Sequence, residues 1–328
     1  MRDCAVTWLR WLLAAFAISI GSAQAQDAAD YPSRTVRLIV PSSAGGPVDA
    51  VARILADGFK TVWKEPVVVE SKPGAGNSTG ALFVANAPPD GYTLLVISDS
   101  ITVNPSLYPA LNKDPLKQFE AISVLVTAPQ ILVARNDLPA NDLRGFIDAA
   151  KASPGKLNVA SAGIGTISHL TEVMLDQRMG MKTAHIPFRG AAPAVTAVLG
   201  KHVDAAWVMP APALPYVMSG QLKALAVTSA ARDARFPQLA TAEEAGIANF
   251  QIANWQGLFA PFGTPKPVVY KIAAAVAELM KNPEVRRRLA AVGFDARGDG
   301  PAVAAEQVRV NTAKWSEVVA RAGIKAEP

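Results

Sequence analysis

Cysteine is all but missing: the 328-residue chain has one, Cys4. A single thiol closes no internal disulfide and cannot build a cysteine zinc site. Histidine is nearly as scarce, at His169, His185 and His202, and none belongs to an H-E-x-x-H helix. Aromatic residues make up only 7%. There is no long run of like charge and no low-complexity tract, so disorder is not expected beyond the ends. The formal charge of +5 is not gathered into a stripe, which argues against a nucleic-acid partner. No G-x-x-x-x-G-K-[ST] phosphate loop and no G-x-S-x-G nucleophile elbow occurs. Beyond the first twenty residues, no apolar run approaches membrane-spanning length.

The first segment reads as a removable leader. Arg2 and Arg10 precede an apolar stretch over 11–20, followed by the A-x-A site Ala23-Gln24-Ala25. The stretch is short against the roughly 20 residues a spanning helix needs. Residues 1–25 are therefore predicted to be a signal peptide, with an uncleaved anchor as the alternative. Cleavage would remove Cys4 and leave no thiol. It would also remove Arg2, Asp3 and Arg10, so the net charge falls from +5 to +4. The expected product is soluble and, in a Gram-negative host, periplasmic.

What the chain does have is half apolar residues (50%) and a regular alternation of strand and helix patterns. "TVRLIVP" (35–41) is an apolar strand, "PVDAVARIL" opens an amphipathic helix at Pro47, and "EPVVVE" (65–70) is the next strand. "YTLLVIS" (92–98) closes the first block. A β-rich stretch over 122–137 reads as a crossover, the alternation restarts, and "NWQGLFAPFGTP" (254–265) reads as the return. "TPKPVVYKIAAAVAELM" is a helix capped by Thr264, and two more helices follow, packing back onto the first block. The expected fold is α/β: mainly parallel sheets flanked by helices, in two lobes. Lobe 1 would span 26–128 plus 254–328 and lobe 2 would span 129–253, with a ligand cleft between them at the carboxyl ends of the strands.

Two strand-to-helix turns stand out. The first is Ser42, Ser43, Ala44, Gly45 and Gly46; the second includes Gly163, Gly165, Thr166 and Ser168. Each turn brings hydroxyls and helix-start N–H groups that suit an anion. Each alone is also readable as a plain tight turn. Ser98, at a strand end, joins the candidate ligand contacts, as do Asp204 in "HVDAAW" and Trp255 on the return crossover. Asp204 reads as well as a turn cap, and Trp255 as hinge packing. Arg189 could neutralise a carboxylate or simply be solvated. His169 reads as a cap or packing residue, His185 as structural and His202 as surface. "PGAGNSTGA" (73–81) is no dinucleotide fingerprint, since Thr79 stands where the third glycine is needed.

These residues carry a resemblance. The ordered segments "YPSRTVRLIVPSSAGGPVDAVAR", "PVVVESKPGAGNSTGA", "APPDGYTLLV", "NPSLY", "PGKLNVASAGIGTISHLTEVM", "HIPFRGAAPAVTAVLGKHVD" and "WQGLFAPFGTPKPVV" resemble the Bug family of extracytoplasmic solute receptors. These are the binding proteins of tripartite tricarboxylate transporters. The likeness covers roughly residues 31–325. It implies a type II-like periplasmic binding-protein fold that closes on an organic carboxylate: an amino acid, a di- or tricarboxylate, or an aromatic acid. It implies no catalysis, no cofactor and no metal, and a carboxylate held by the two turns with the help of ordered waters. Asp204 is the matching aspartate. Membrane transporter subunits are the implied partners, and a monomer is expected. The first turn departs from the family's P-F-P-P-G-G-G-T-D. Here it reads "PSSAGGPVD", so Pro47 lacks an N–H and Val48 lacks a hydroxyl. Met209 and Pro210 stand where a polar residue is common, which hints at a more apolar ligand end. Two other readings stay open on sequence alone: a sensor subunit serving a kinase, and a secreted hydrolase using Asp204 and His169.

Overall fold

The computed structural model describes residues 30–111 and 113–325. The predicted signal segment lies outside these residues. Eleven strands and eleven α-helices follow one another along the described chain. The strands are β1 (Val36–Val40), β2 (Val67–Ser71), β3 (Thr93–Ser98), β4 (Phe119–Pro129), β5 (Ile131–Arg135), β6 (Asn158–Ser161), β7 (Ala184–Pro187), β8 (Ala205–Val208), β9 (Leu222–Val227), β10 (Ala253–Pro261) and β11 (Asp295–Asp299). The helices are α1 (Pro47–Val62), α2 (Ser78–Ala85), α3 (Ser100–Leu107), α4 (Pro115–Gln118), α5 (Leu143–Ala152), α6 (Ile167–Met179), α7 (Ala191–Leu199), α8 (Pro210–Met218), α9 (Lys266–Lys281), α10 (Pro283–Ala291) and α11 (Pro301–Ala322).

The strands form two sheets, ordered β11-β4-β10-β3-β1-β2 and β7-β6-β8-β5-β9. The expected α/β architecture is present, but the sheets are mixed rather than mainly parallel. β1 runs parallel to β2 and β3, and β6 runs parallel to β7 and β8. The crossing strands break the pattern. β10 is antiparallel to β3 and β4, and β5 is antiparallel to β8 and β9. A strand that leaves one sheet to enter the other meets the βα units of each sheet against their direction, which pattern reading along one segment does not reveal.

Both faces of each sheet are covered, which is why the strands read as unbroken apolar runs. Leu38 of β1 faces one core with Leu55 and Phe59 of α1 and Ile272 and Val276 of α9. Its neighbour Ile39 faces the other, with Ala81 and Val84 of α2 and Ile101 of α3. Pro47 opens α1, where its missing N–H leaves no gap in the helix. On the second sheet, Phe146 of α5 and Leu170 and Leu175 of α6 share one face. Val195 and Val198 of α7 share the opposite one.

Two links join the sheets side by side. Only Gln130 separates β4 from β5, and β10 returns paired to β4, with Asn254 opposite Ala128 and Trp255 opposite Thr127. Thr228 fastens this junction: its N–H donates to the Gln130 carbonyl and its hydroxyl accepts the Gln130 N–H, each at 2.9 Å. A third link was not foreseen. α9 and α10 pack on the first sheet, as expected, but α11 serves both cores. Its Ala304 and Val308 lie with Ile39 and Trp255, while Trp315, Val318 and Val319 lie with Phe146 and Leu170. Thr264 does not cap α9 through its side chain; its hydroxyl donates to the Pro261 carbonyl at 2.8 Å.

Candidate functional site

The carboxyl ends of β1, β3, β6 and β8 converge on one cavity of about 530 Å³. That is where parallel βα units leave their helix starts pointing at a shared crevice. From the first sheet come Ser42, Ser43 and Gly46 of the first turn, together with Ser98, Asp99 and Ser100. From the second come Ala162, Gly165, Thr166 and Ser168. Gln130, Asn254, Trp255 and Gln256 form the wall where the two sheets are joined. Leu107, Val208, Met209 and Phe294 supply apolar surface.

Most of the proposed contacts are thus brought together. Ser42, Ser43, Gly46, Ser98, Gly165, Thr166, Ser168 and Trp255 line the cavity. Ala44, Gly45, Gly163 and Asp204 do not. Ala44 is exposed on the turn. Gly163 lines an adjoining hollow of about 320 Å³ together with Arg189, which is exposed. Asp204 precedes β8, at the end of the strand opposite Val208. Four strand residues at about 3.3 Å each carry it some 13 Å from the cavity end. There it pairs with Arg135 at 3.0 Å and accepts the Asn158 N–H at 2.8 Å, a strand-edge clamp rather than a ligand contact.

The turns are less open than their composition suggests. In the first, the Gly45 N–H donates to Asp49 Oδ2 at 2.9 Å, and Gly45 sits at φ +80°. Asp49 is buried and also accepts from Arg53 Nε at 2.8 Å. The Arg53 guanidinium holds the Asp49 carboxyl below its ordinary range, with the Gly45 N–H assisting. Side chains of the second turn satisfy its amides in the same way. Ser168 Oγ accepts the Ala162 N–H at 2.9 Å, Ser161 Oγ accepts the Gly163 N–H at 3.1 Å, and His169 Nδ1 accepts the Gly165 N–H at 3.1 Å. First-turn N–H groups of lining residues remain for a ligand, at Val48 in α1 and at Ile167 and Ser168 in α6. Helix geometry gives such groups no carbonyl partner.

A histidine pair supports the second turn from below. The rings of His169 and His185 stack 3.8 Å apart, and His185 Nε2 shares a 2.6 Å hydrogen bond with Ser161 Oγ. Burial pushes His169 down to about 3 and His185 to about 4, so both are neutral near pH 7. That matches packing roles: His169 Nδ1 is taken up by the Gly165 N–H, and His169 is not among the cavity-lining residues. Gly165, at φ +73°, approaches Leu107 of α3 so closely that an added Cβ would lie 2.3 Å from its Cδ1.

Of this wall, sequence reasoning picked out Trp255 but missed the other three residues. Gln130, Asn254 and Gln256 are polar residues inside otherwise apolar crossing strands, and that contrast was the available signal. Five buried side-chain atoms of the lining have no hydrogen-bond partner: Ser42 Oγ, Gln130 Oε1, Asn254 Nδ2, Trp255 Nε1 and Gln256 Oε1. Only nine such atoms occur among the described residues, so unmet polar groups concentrate here. The third glycine-rich turn also enters the lining, through Gly76 and Asn77. Asn104 Nδ2 donates to the Gly76 carbonyl at 2.6 Å, and Asn77 Nδ2 to Ser100 Oγ at 3.0 Å.

Two joined α/β sheets, with a cavity between helix starts contributed by each, define the architecture of a solute-binding protein. Residues 51–324 match the tripartite tricarboxylate transporter family receptor, TctC. The chain belongs to this family. It is 32% identical to BugT of Bordetella pertussis over 98% of this chain and 99% of that protein. Among solved structures, it is similar to the periplasmic binding protein BugD, with 37% identity and a TM-score of 0.74 over 90% of this chain and 100% of BugD. It is also similar to MatC of Rhodopseudomonas palustris with bound malate, with 35% identity and a TM-score of 0.74 over 88% of this chain and 100% of MatC.

Proposed function

We propose that this chain is an exported receptor that captures a small organic carboxylate and delivers it to a membrane transporter of the tripartite tricarboxylate type. It acts without catalysis or cofactor. The observation that carries the reading is the convergence of two helix starts, α1 and α6, on one cavity. Their unpaired N–H groups and the hydroxyls of Ser42, Ser43, Thr166 and Ser168 suit one carboxylate. Malate bound to MatC supports the ligand class. The leader-like residues 1–25 and the periplasmic BugD support export to the periplasm.

In this reading the lobes are 26–128 with 254–328, and 129–253. They close about a hinge at 128–132 and 254–258, and ligand favours the closed form because it touches both sides. The protein works as a monomer.

A thermal-shift screen of the chain from Gln26 against mono-, di-, tri- and aromatic carboxylates tests this. A ligand at about 100 times its dissociation constant adds about 2.7 kcal/mol to stability. At least one acid is expected to raise the melting temperature and to be recovered unchanged. A shift by no acid, or conversion of the acid bound, rejects the reading.

A further inference from the structure

We propose that Asp99 makes capture proton-linked: the protein takes up a proton with its anionic ligand, and Asp99 sets the pH above which the acid is held more weakly. This rests on the carboxylate reading above and adds a regulating residue to it.

The lining contains no lysine, arginine or histidine, and its one acidic residue is Asp99. Tyr108 is the only other ionisable residue there. The cavity of about 530 Å³ has the volume of a sphere roughly 10 Å across, which brings a ligand's charge to about that range of Asp99. At 10 Å and an effective dielectric constant of about 20, two like charges weaken binding by a factor of roughly ten.

Nothing beside Asp99 offsets that repulsion. It is 9% exposed. Its Oδ2 accepts the Trp255 N–H at 3.2 Å, and the Ser100 N–H is the other group that favours its charge. β3, α3 and β10, which surround it, hold no other ionisable side chain. β4 carries only Glu120, which is paired with Lys266 at 2.6 Å. α11 meets Trp255 through Ala304 and Val308, while its Glu306 and Arg309 are exposed and pair with each other. Behind the two turns, Asp49 is paired with Arg53, and His169 and His185 are neutral near pH 7. Arg189 is exposed, in the adjoining hollow.

Burial pushes the Asp99 carboxyl up to about 7. Near neutral pH it therefore has a proton to gain. An anion in the cavity favours the protonated form, so binding draws that proton from solvent. Protonation removes the like charge and leaves an O–H donor in its place.

Titration calorimetry of the chain from Gln26 with malate, adipate and benzoate tests this. All three are ionised at pH 7.5. Repeating the titration there in buffers of different ionisation enthalpy counts the protons exchanged. An acid that binds is expected to bring in about half a proton or more, and its affinity to fall at least five-fold between pH 6.5 and 8.5. Asp99→Asn keeps the shape and an acceptor for the Trp255 N–H. It should abolish the uptake, flatten the pH profile and bind the acid more tightly than wild type above pH 8. Binding with no proton taken up, binding with a proton released, or uptake that persists in Asp99→Asn overturns the proton link and leaves the carboxylate reading standing. Binding of none of these acids, nor of any acid in the thermal-shift screen, rejects both.

Discussion

Asp99 and Trp255 grip one another across the joined strands: the Asp99 N–H reaches the Trp255 carbonyl at 2.9 Å, and the Trp255 N–H reaches the Asp99 carboxylate at 3.2 Å. The pair ties the carboxyl end of β3 to the segment that leads back from the second sheet. Both residues line the cavity. A hinge at the joining strands, as proposed above, would therefore be coupled to the wall of the site.

Gly165 should not tolerate alanine. Its φ of +73° is costly for any side chain, and the new Cβ would lie 2.3 Å from Leu107 Cδ1. The backbone cost is about 1–2 kcal/mol. For a protein of this size, each kcal/mol lowers the melting temperature by roughly 2–4 °C. Gly165→Ala should melt several degrees lower and bind ligand more weakly. A cycle with Leu107→Ala separates the causes. The second substitution should recover the steric part but not the backbone part. Additivity of the two in thermal melts would show that the close approach carries no strain.

The two serines of the turns should behave differently. Ser168 Oγ accepts the half-buried Ala162 N–H and shares a 2.9 Å bond with Thr166 Oγ1. Ser168→Ala strands that N–H, at about 1–3 kcal/mol, and should lower both stability and affinity. Ser43 is exposed on its turn. Ser43→Ala should leave stability within about 0.5 kcal/mol of wild type while still reducing affinity. Calorimetry beside thermal melts checks both, and unchanged affinity in both variants would remove the turns from the site.

The pH dependence of stability has two opposed sources beneath the second turn. Burial pushes Glu172 up to about 8, with Asp176 adding repulsion, and one of its oxygens has no partner. The folded form thus holds the Glu172 proton more tightly than the unfolded chain. Its contribution is complete below about pH 4.5 and fades as pH rises toward 8. The stacked histidines act the other way. Their folded values lie below 6.5, so their contribution is complete above 6.5 and fades as pH falls toward 4. Glu172→Gln should therefore raise the melting temperature relative to wild type at pH 8 and make little difference at pH 4. A pH series of melts tests this; equal offsets at both ends would contradict it.

Much of this was legible in the chain. Pro47, Asp49 and the Val51, Ile54, Leu55 spacing mark α1 without ambiguity, and the two serine–glycine turns mark the ends of β1 and β6. Local pattern suffices there because each signal lies within a dozen residues. The mixed sheets were not legible, because strand direction depends on partners far away in sequence. Asp204 was misplaced for a related reason: its position at the wrong end of β8 follows from topology, not from its neighbours. Gln130 and Gln256 look like isolated polar residues in strands until pairing of β4 with β10 sets them in one wall.

The long final helix has a mechanical consequence. At about 1.5 Å per residue, its 22 residues make a rod roughly 33 Å long. One half is seated in each core. Together with the paired strands β4 and β10, it gives the two sheets two separated fastenings. Two bodies strapped at two places have little freedom to twist or slide, but they can still swing about the line through the straps. In the closing motion proposed above, random tumbling of one half against the other would be reduced to a single swing, and the mouth of the cavity would open and shut along one path.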